Sequence, residues 1–194
     1  MRIALFFEAE TSRTYNFKQI RELSEQFGKG LKHQLKWQRG DVLAFFAPNS
    51  IDVPVVNFGL HWAGGVASPA NPTYTPEELA RQLIDCRAKA LITTKSFLQS
   101  AITAANLAGL PLGRVFLMGA ERDESGKFMH WTEVNSKSAW IQPSKTSIDP
   151  RKDLAYLVYS SVSHYYFATC NFLRPLIWVL GNYRDAKGGE VNTL

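Results

Sequence analysis

The sequence predicts an α/β fold: part of a doubly wound, mostly parallel sheet with helices on both faces, plus an N-terminal hairpin. Two observations carry this. Short, continuous apolar runs recur at 42–47, 66–69, 90–94, 114–118 and 154–160, and unbroken runs of this kind mark strands buried on both faces. Between them lie longer stretches with helical periodicity and recognisable start and stop residues. Strands alternating with helices argue for parallel pairing with helical crossovers.

The elements follow in order. Ile3 to Ala9 reads as a strand, Glu10-Thr11-Ser12 as a turn, and Arg13-Thr14-Tyr15 as the return strand of a hairpin. Asn16 is a good N-cap, and Phe17, Ile20, Leu23, Phe27 and Leu31 recur along one helical face. Arg39-Gly40-Asp41 makes a turn into the strand Val42 to Ala47. Pro48-Asn49-Ser50 ends that strand and caps a helix over Ile51 to Ala63, which Gly64-Gly65 stops. Val66 to Pro69 is a short strand.

Thr75 and Glu78 form a capping box, with Pro76 at the first helical position and Tyr74 placed to staple onto Leu79. Leu79, Leu83 and Cys86 then face inward. After the strand Ala90 to Thr94, Ser96 and Gln99 predict a second capping box for a helix reaching Ala108, where Gly109 and Pro111 stop it. Arg114 to Met118 is a strand, Glu121 to Lys127 a charged loop, and Thr132 the cap of a short helix to Ala139. Gln142 to Lys152 is a polar surface connection. It leads into Leu154 to Ser160, a buried parallel strand that ends in Ser160-Ser161.

Composition narrows the function classes. The chain has 194 residues, 45% of them hydrophobic and 20% charged, which suits a soluble globular domain with a real core. The formal charge is +5, with the densest basic stretch from Lys18 to Arg39. That stretch reads as a solvated helix face, and no nucleic-acid module accompanies it. The two cysteines and the absence of a signal-peptide pattern point to a reducing, cytoplasmic setting. No apolar run is long enough to span a bilayer, so no membrane partner is expected. Cys86 is expected to be a buried free thiol.

Several constellations carry no chemistry. Gly28-Lys29-Gly30-Leu31-Lys32-His33 begins like a dinucleotide fingerprint but lies within a helix and ends in His. His33, His61, His130 and His164 lack metal-ligand spacing, so no metal site is expected. His61 beside Trp62 reads as a core residue. No Gly-x-Ser-x-Gly elbow occurs. Glu77-Glu78 suits a helix N-terminus.

The run Asp153-Leu154-Ala155-Tyr156-Leu157-Val158-Tyr159-Ser160-Ser161 resembles the approach to the phosphate loop of the adenylate-forming superfamily. Further stretches resemble the same group: Thr14-Tyr15-Asn16-Phe17, Arg39-Gly40-Asp41-Val42, His61 to Pro72, and Asn71-Pro72-Thr73-Tyr74-Thr75-Pro76-Glu77-Glu78-Leu79. The last looks most like the acyl-CoA synthetase and 4-coumarate–CoA ligase branch. The resemblance implies ATP, Mg²⁺ and CoA as cofactors and a carboxylic acid as substrate. The acid is adenylated, and a thiol then displaces AMP. Ser160 and Ser161 match the start of the phosphate-loop signature, so they are the candidate nucleotide-binding residues. With the loop gone, the favoured reading is that they are residual strand-end residues.

The resemblance stops at Ser161. The glycines, threonines and lysine of the loop do not follow; Val162-Ser163-His164-Tyr165-Tyr166-Phe167 stands instead. This divides the chain into residues 1–161, the N-terminal part of an AMP-binding domain, and residues 162–194, an unmatched tail. Val162-Ser163 is what a splice-donor sequence encodes in frame, so the tail is expected to be aberrant. The chain is therefore expected to be a truncated acid–CoA ligase with no catalytic residue of its own. The alternative is a non-catalytic binding or interaction module. Cutting such a sheet exposes an edge, so chaperone capture or self-association is expected.

Overall fold

The computed structural model describes residues 4–9, 11–134, 143–159 and 177–178. A two-stranded antiparallel sheet pairs β1 (Ala4–Phe7) with β2 (Thr14–Asn16). A six-stranded sheet follows, built from β3 (Val42–Phe46), β4 (Val66–Pro69), β5 (Ala88–Thr93), β6 (Val115–Leu117), β7 (Tyr156–Leu157) and β8 (Ile177–Trp178). Its order is β6-β5-β3-β4-β7-β8; the first five strands are parallel and β8 runs antiparallel to β7. The predicted hairpin and parallel sheet are both present.

Four helices cover the sheet: α1 (Phe17–Gln34), α2 (Asp52–Trp62), α3 (Pro76–Asp85) and α4 (Leu98–Ala108). The central strand shows how. Leu43 and Phe45 join Phe27, Leu31, Val55, Val56 and Leu60 of α1 and α2 on one face. Ala44 and Phe46 join Leu79, Leu83, Ala101 and Ala104 of α3 and α4 on the other. Successive side chains point to opposite faces, so an unbroken apolar run is what a strand between two helical layers requires.

The α1–α2 contact depends on two glycines. A Cβ on Gly28 would lie 2.7 Å from the Gly59 carbonyl oxygen, and one on Gly59 would lie 2.6 Å from the Ser24 carbonyl oxygen. Gly28, the first glycine of the Gly28-x-Gly30 pattern, thus serves the helix crossing. Ser24 strengthens the contact by donating to the Val55 carbonyl at 2.9 Å.

Several caps stand as expected. Asn16 accepts from the Gln19 N–H at 2.9 Å while Gln19 returns a bond to the Asn16 N–H. Thr75 and Glu78 form their box, Gly109 takes the left-handed conformation after α4 (φ +68), and Cys86 is a buried free thiol.

Four expectations need correction. Phe17 belongs to the apolar face by spacing, yet it is 70% exposed. It is the first residue of α1, and Ile20, one turn on, is the first of the series to enter the core. The Ser96–Gln99 box does not form. A 3-10 turn at Lys95–Phe97 precedes α4, Ser96 bonds the Thr94 hydroxyl at 3.1 Å, and the Phe97 ring packs edge-on against Phe46. Thr132 does not cap; His130 caps a 3-10 turn at Trp131–Glu133, and residues 135–139 lie outside the described residues. Finally, β7 is shorter and less buried than its apolar run predicts. Leu157 is buried, but Val158 is 44% exposed. Leu157 and Tyr159 pack toward Cys86, whereas Val158 joins no core cluster among the described residues.

Candidate functional site

Ligands of open α/β sheets sit beyond the carboxyl ends of the strands, where neighbouring connections leave to opposite faces. Here β3 leaves to α2 on one face, while β4 and β5 on either side of it leave to α3 and α4 on the other. The switch point therefore lies at the carboxyl end of β3 and the N-terminus of α2. A helix N-terminus in such a place is a ready anion site.

That position is filled by the chain's own carboxylates. Glu8, just past β1, accepts from the Ile51 N–H at 3.1 Å and from the Ser50 hydroxyl at 3.4 Å. Asp52, fully buried, accepts from the Tyr15 hydroxyl and from the Gly119 N–H, each at 2.8 Å, and from the Arg13 guanidinium. Arg13 also donates to the Tyr15 hydroxyl at 2.8 Å. Arg13 and Tyr15 flank Thr14 on the hairpin, so strand alternation places both on one face, over α2. Gly119 presents its N–H from a left-handed turn, φ +98, just after β6.

The electrostatics follow from this packing. Burial pushes the Tyr15 phenol up to about 12, and the Asp52 charge adds to it. For Glu8, burial alone would raise the carboxyl, but hydrogen bonds from Thr11 and Ile51 and the Arg13 charge bring it below its ordinary value. Burial acts to lower Arg13, and its bond to Asp52 reverses that and raises it.

His130 extends the cluster. Its Nε2 lies 3.0 Å from the Gly119 carbonyl, which can only accept, so Nε2 carries the proton. Nδ1 then accepts from Thr132, whose hydroxyl lies at 2.8 Å. Burial holds the imidazole below its usual pKa. The cluster is a clamp joining hairpin, α2 and the end of β6. Sequence reasoning missed it. Its available signal was an Arg-x-Tyr pair on a hairpin strand together with an Asp opening an apolar helix.

β7, the strand that precedes the sequence-predicted site, lies two strands away from β3, past β4. Ser160 and Ser161 lie outside the described residues, the last described residue before them being Tyr159. β7 pairs parallel with β4 through Ala67 and Tyr156, so the chain leaves the sheet at the carboxyl edge. On the α3 side the Tyr159 hydroxyl donates to Asp85, and burial together with that bond raises its pKa. Burial pushes the Cys86 thiol up to about 11, which makes it a poor nucleophile. Gln82 donates to Ser68 Oγ at 2.9 Å and to the Pro69 carbonyl at 3.1 Å, locking α3 to the end of β4.

The described residues do not fit a nucleotide phosphate. The one helix N-terminus at the switch point faces two carboxylates. No group of three or more His, Cys, Asp or Glu side chains that could hold a metal ion occurs among the described residues. His61 is half-buried, with Nδ1 3.2 Å from the Gly65 carbonyl and its ring edge-on to Tyr156 at 5.2 Å.

The sequence profile described as AMP-binding enzyme matches residues 1–164. The long-chain-fatty-acid–CoA ligase of Haemophilus influenzae is 40% identical over 81 residues, which is 42% of this chain and 14% of that protein. The 4-coumarate–CoA ligase-like 8 of Arabidopsis thaliana is 32% identical over 89 residues, 46% of this chain and 16% of that protein. The matched stretch is therefore a small part of either relative's length. A red-emitting luciferase from Phrixothrix hirtus superposes with a TM-score of 0.70 at 17% identity, covering 88% of this chain and 40% of the luciferase, which shows a shared fold. With a profile match over most of its length, the chain belongs to the AMP-binding enzyme family.

Proposed function

We propose that residues 1–161 are the first part of the nucleotide-binding domain of an acid–CoA ligase, that 162–194 is unrelated to it, and that this chain forms no acyl-adenylate. The observation that carries this reading is the position of β7. It and Tyr159 reach the carboxyl edge of a parallel sheet directly before Ser160 in the sequence, and no glycine, threonine or lysine follows within 162–167. A phosphate cradle needs preorganised N–H donors and positive charge. The profile match ending at residue 164 supports the proposed boundary. In the full family reaction ATP, Mg²⁺, CoA and a carboxylic acid would meet at this edge.

A non-catalytic binding module is the second reading. It is favoured by the clamp, in which the chain satisfies its own α2 N-terminus without a ligand. The exposed Val158 just after β7 supports self-association or chaperone capture. The other side of the sheet is partly closed, since the Leu117 N–H on β6 donates to the Met129 carbonyl at 2.9 Å. No helix among the described residues is long and apolar enough to cross a membrane. A cytoplasmic location is part of the proposal.

Calorimetric titration with ATP and with AMP separates the readings. A ligase-domain segment retaining a residual pocket gives weak, saturable heats that Ser161→Ala removes. A binding module gives none.

A further inference from the structure

The amino edge of the sheet, opposite the end where ligands of open α/β sheets sit, carries a cleft that neither reading uses. It is a recess of about 490 Å³ between the last turn of α3, the start of β5 and the turn that follows α4. Its floor is apolar: Leu83 and Leu110 are buried, and Ile84 stands 58% exposed at its wall. Leu107, 55% exposed, directly precedes the lining residue Ala108. Three cations line the cleft, Arg87, Lys89 and Arg114, and no carboxylate does among the described residues.

These cations are not neutralised within the chain. Arg87 and Lys89 make no ion pair and no side-chain hydrogen bond among the described residues. Arg114 donates to the Leu35 carbonyl at 3.1 Å, which fixes its guanidinium without cancelling its charge. The carboxylate nearest in sequence, Asp85, accepts from the Tyr159 hydroxyl. Nor do the cations close the helix ends. Backbone N–H groups do that: Cys86 and Arg87 donate to the Gln82 and Ile84 carbonyls, and Gly109 and Leu110 to the Asn106 and Ala105 carbonyls. Arg87 is itself left-handed, φ +52, at the position past a helix end where glycine is usual.

Charge and shape select the occupant. Cations without a counterion attract carboxylates, and a guanidinium fork binds them through paired hydrogen bonds. A second copy would bring like charge to like. A bilayer is too flat to enter a recess. A bare anion would satisfy the cations and leave Ile84 and Leu107 in water. A polypeptide with acidic residues beside an aliphatic or aromatic one covers both.

We propose that this cleft at the ends of α3 and α4 docks an acidic peptide segment of a partner protein. Its carboxylates pair with Arg87, Lys89 and Arg114, and its apolar side chain lies against Leu83 and Ile84. The cleft and the carboxyl edge lie at opposite ends of the parallel strands, so this docking does not compete with a nucleotide there.

Selection of a phage-displayed random-peptide library on the full chain, followed by fluorescence anisotropy with the enriched peptide, tests this. The expected sequences join Asp or Glu to Leu, Ile or Phe, and their binding weakens when salt rises from about 0.1 M to 0.5 M. Arg87→Glu/Lys89→Glu should bind at least about tenfold more weakly, and Ile84→Ser at least about threefold more weakly. Lys18→Glu/Lys36→Glu, the same charge change in and just past α1 on the other side of the sheet, should bind as the parent does. Circular dichroism establishes that the variants are folded. Exchanging the peptide's acids for lysine should abolish binding to the unaltered chain, a readout independent of any variant's folding. No enriched peptide, enrichment of basic peptides, or binding that Arg87→Glu/Lys89→Glu retains in full overturns the proposal. Complete displacement by inorganic phosphate, with Ile84→Ser making no difference, also overturns it and assigns the cleft to a bare anion.

Discussion

Replacing Asp52 with alanine tests the clamp most severely. The carboxylate is fully buried and accepts from the Tyr15 hydroxyl, the Gly119 N–H and Arg13. The substitution leaves these donors without an acceptor. An orphaned buried donor costs about 1–3 kcal/mol, and removing one partner of a buried ion pair about 3–5 kcal/mol. These costs overlap, because Arg13 remains partly exposed, with 26% of its side chain accessible. The expected loss is therefore about 3–5 kcal/mol, a large share of the roughly 5–15 kcal/mol that holds a domain together. Tyr15→Phe removes one donor and leaves Asp52 two others, so it should cost only about 1 kcal/mol. Urea unfolding followed by far-ultraviolet circular dichroism measures both. If Asp52→Ala costs less than Tyr15→Phe, the clamp does not bear on stability and the reading of this site is wrong.

Other outcomes follow from the same structure. Tyr15 has a folded-state pKa raised to about 12, so its contribution is present at neutral pH and is lost as pH rises from its ordinary value of about 10 through 12. Tyr15→Phe should flatten that alkaline fall in stability. His130, depressed by burial, acts at the other end: stability falls as pH drops below about 6.5, because the folded state must then hold a charged imidazolium away from water. His130→Gln should reduce that acid dependence. Gly28→Ala should cost about 1–3 kcal/mol by forcing α1 off α2, and an unchanged thermal midpoint would contradict the crossing. Thr75→Ala should cost about 1 kcal/mol, and Glu78→Ala less, measured in the same melts.

The layered fold was legible because its signals are local. The 42–47 run, Gly109 after α4 and the Thr75–Glu78 box each depend on neighbours within a few residues. What was missed depends on distant packing. Ser96 and Gln99 have the right spacing for a box, but Phe97 is drawn onto Phe46, more than fifty residues away in sequence, and a 3-10 turn takes the place of the cap. The clamp joins Glu8, Arg13, Asp52 and Gly119 across the chain, so no single window shows it. Gly28 suggested part of a failed nucleotide fingerprint because sequence alone does not show the carbonyl of Gly59 approaching it. The length of β7 was overestimated because an apolar run reports the wish to be buried, not whether a covering layer exists.

The central claim is that this chain carries the scaffold of an adenylate-forming domain without its reaction centre. ATP–pyrophosphate exchange, run with a panel of aromatic and fatty acids, tests it most directly. Losing a single preorganised donor from an anion site costs about a hundred- to a thousand-fold in rate, and here residues 162–167, directly after Ser161, offer none of the loop's glycines, threonines or lysine. The predicted result is no exchange above the enzyme-free blank with any acid. Exchange above that blank, abolished by Ser161→Ala, would contradict the account and show that the residues after β7 build a working phosphate site.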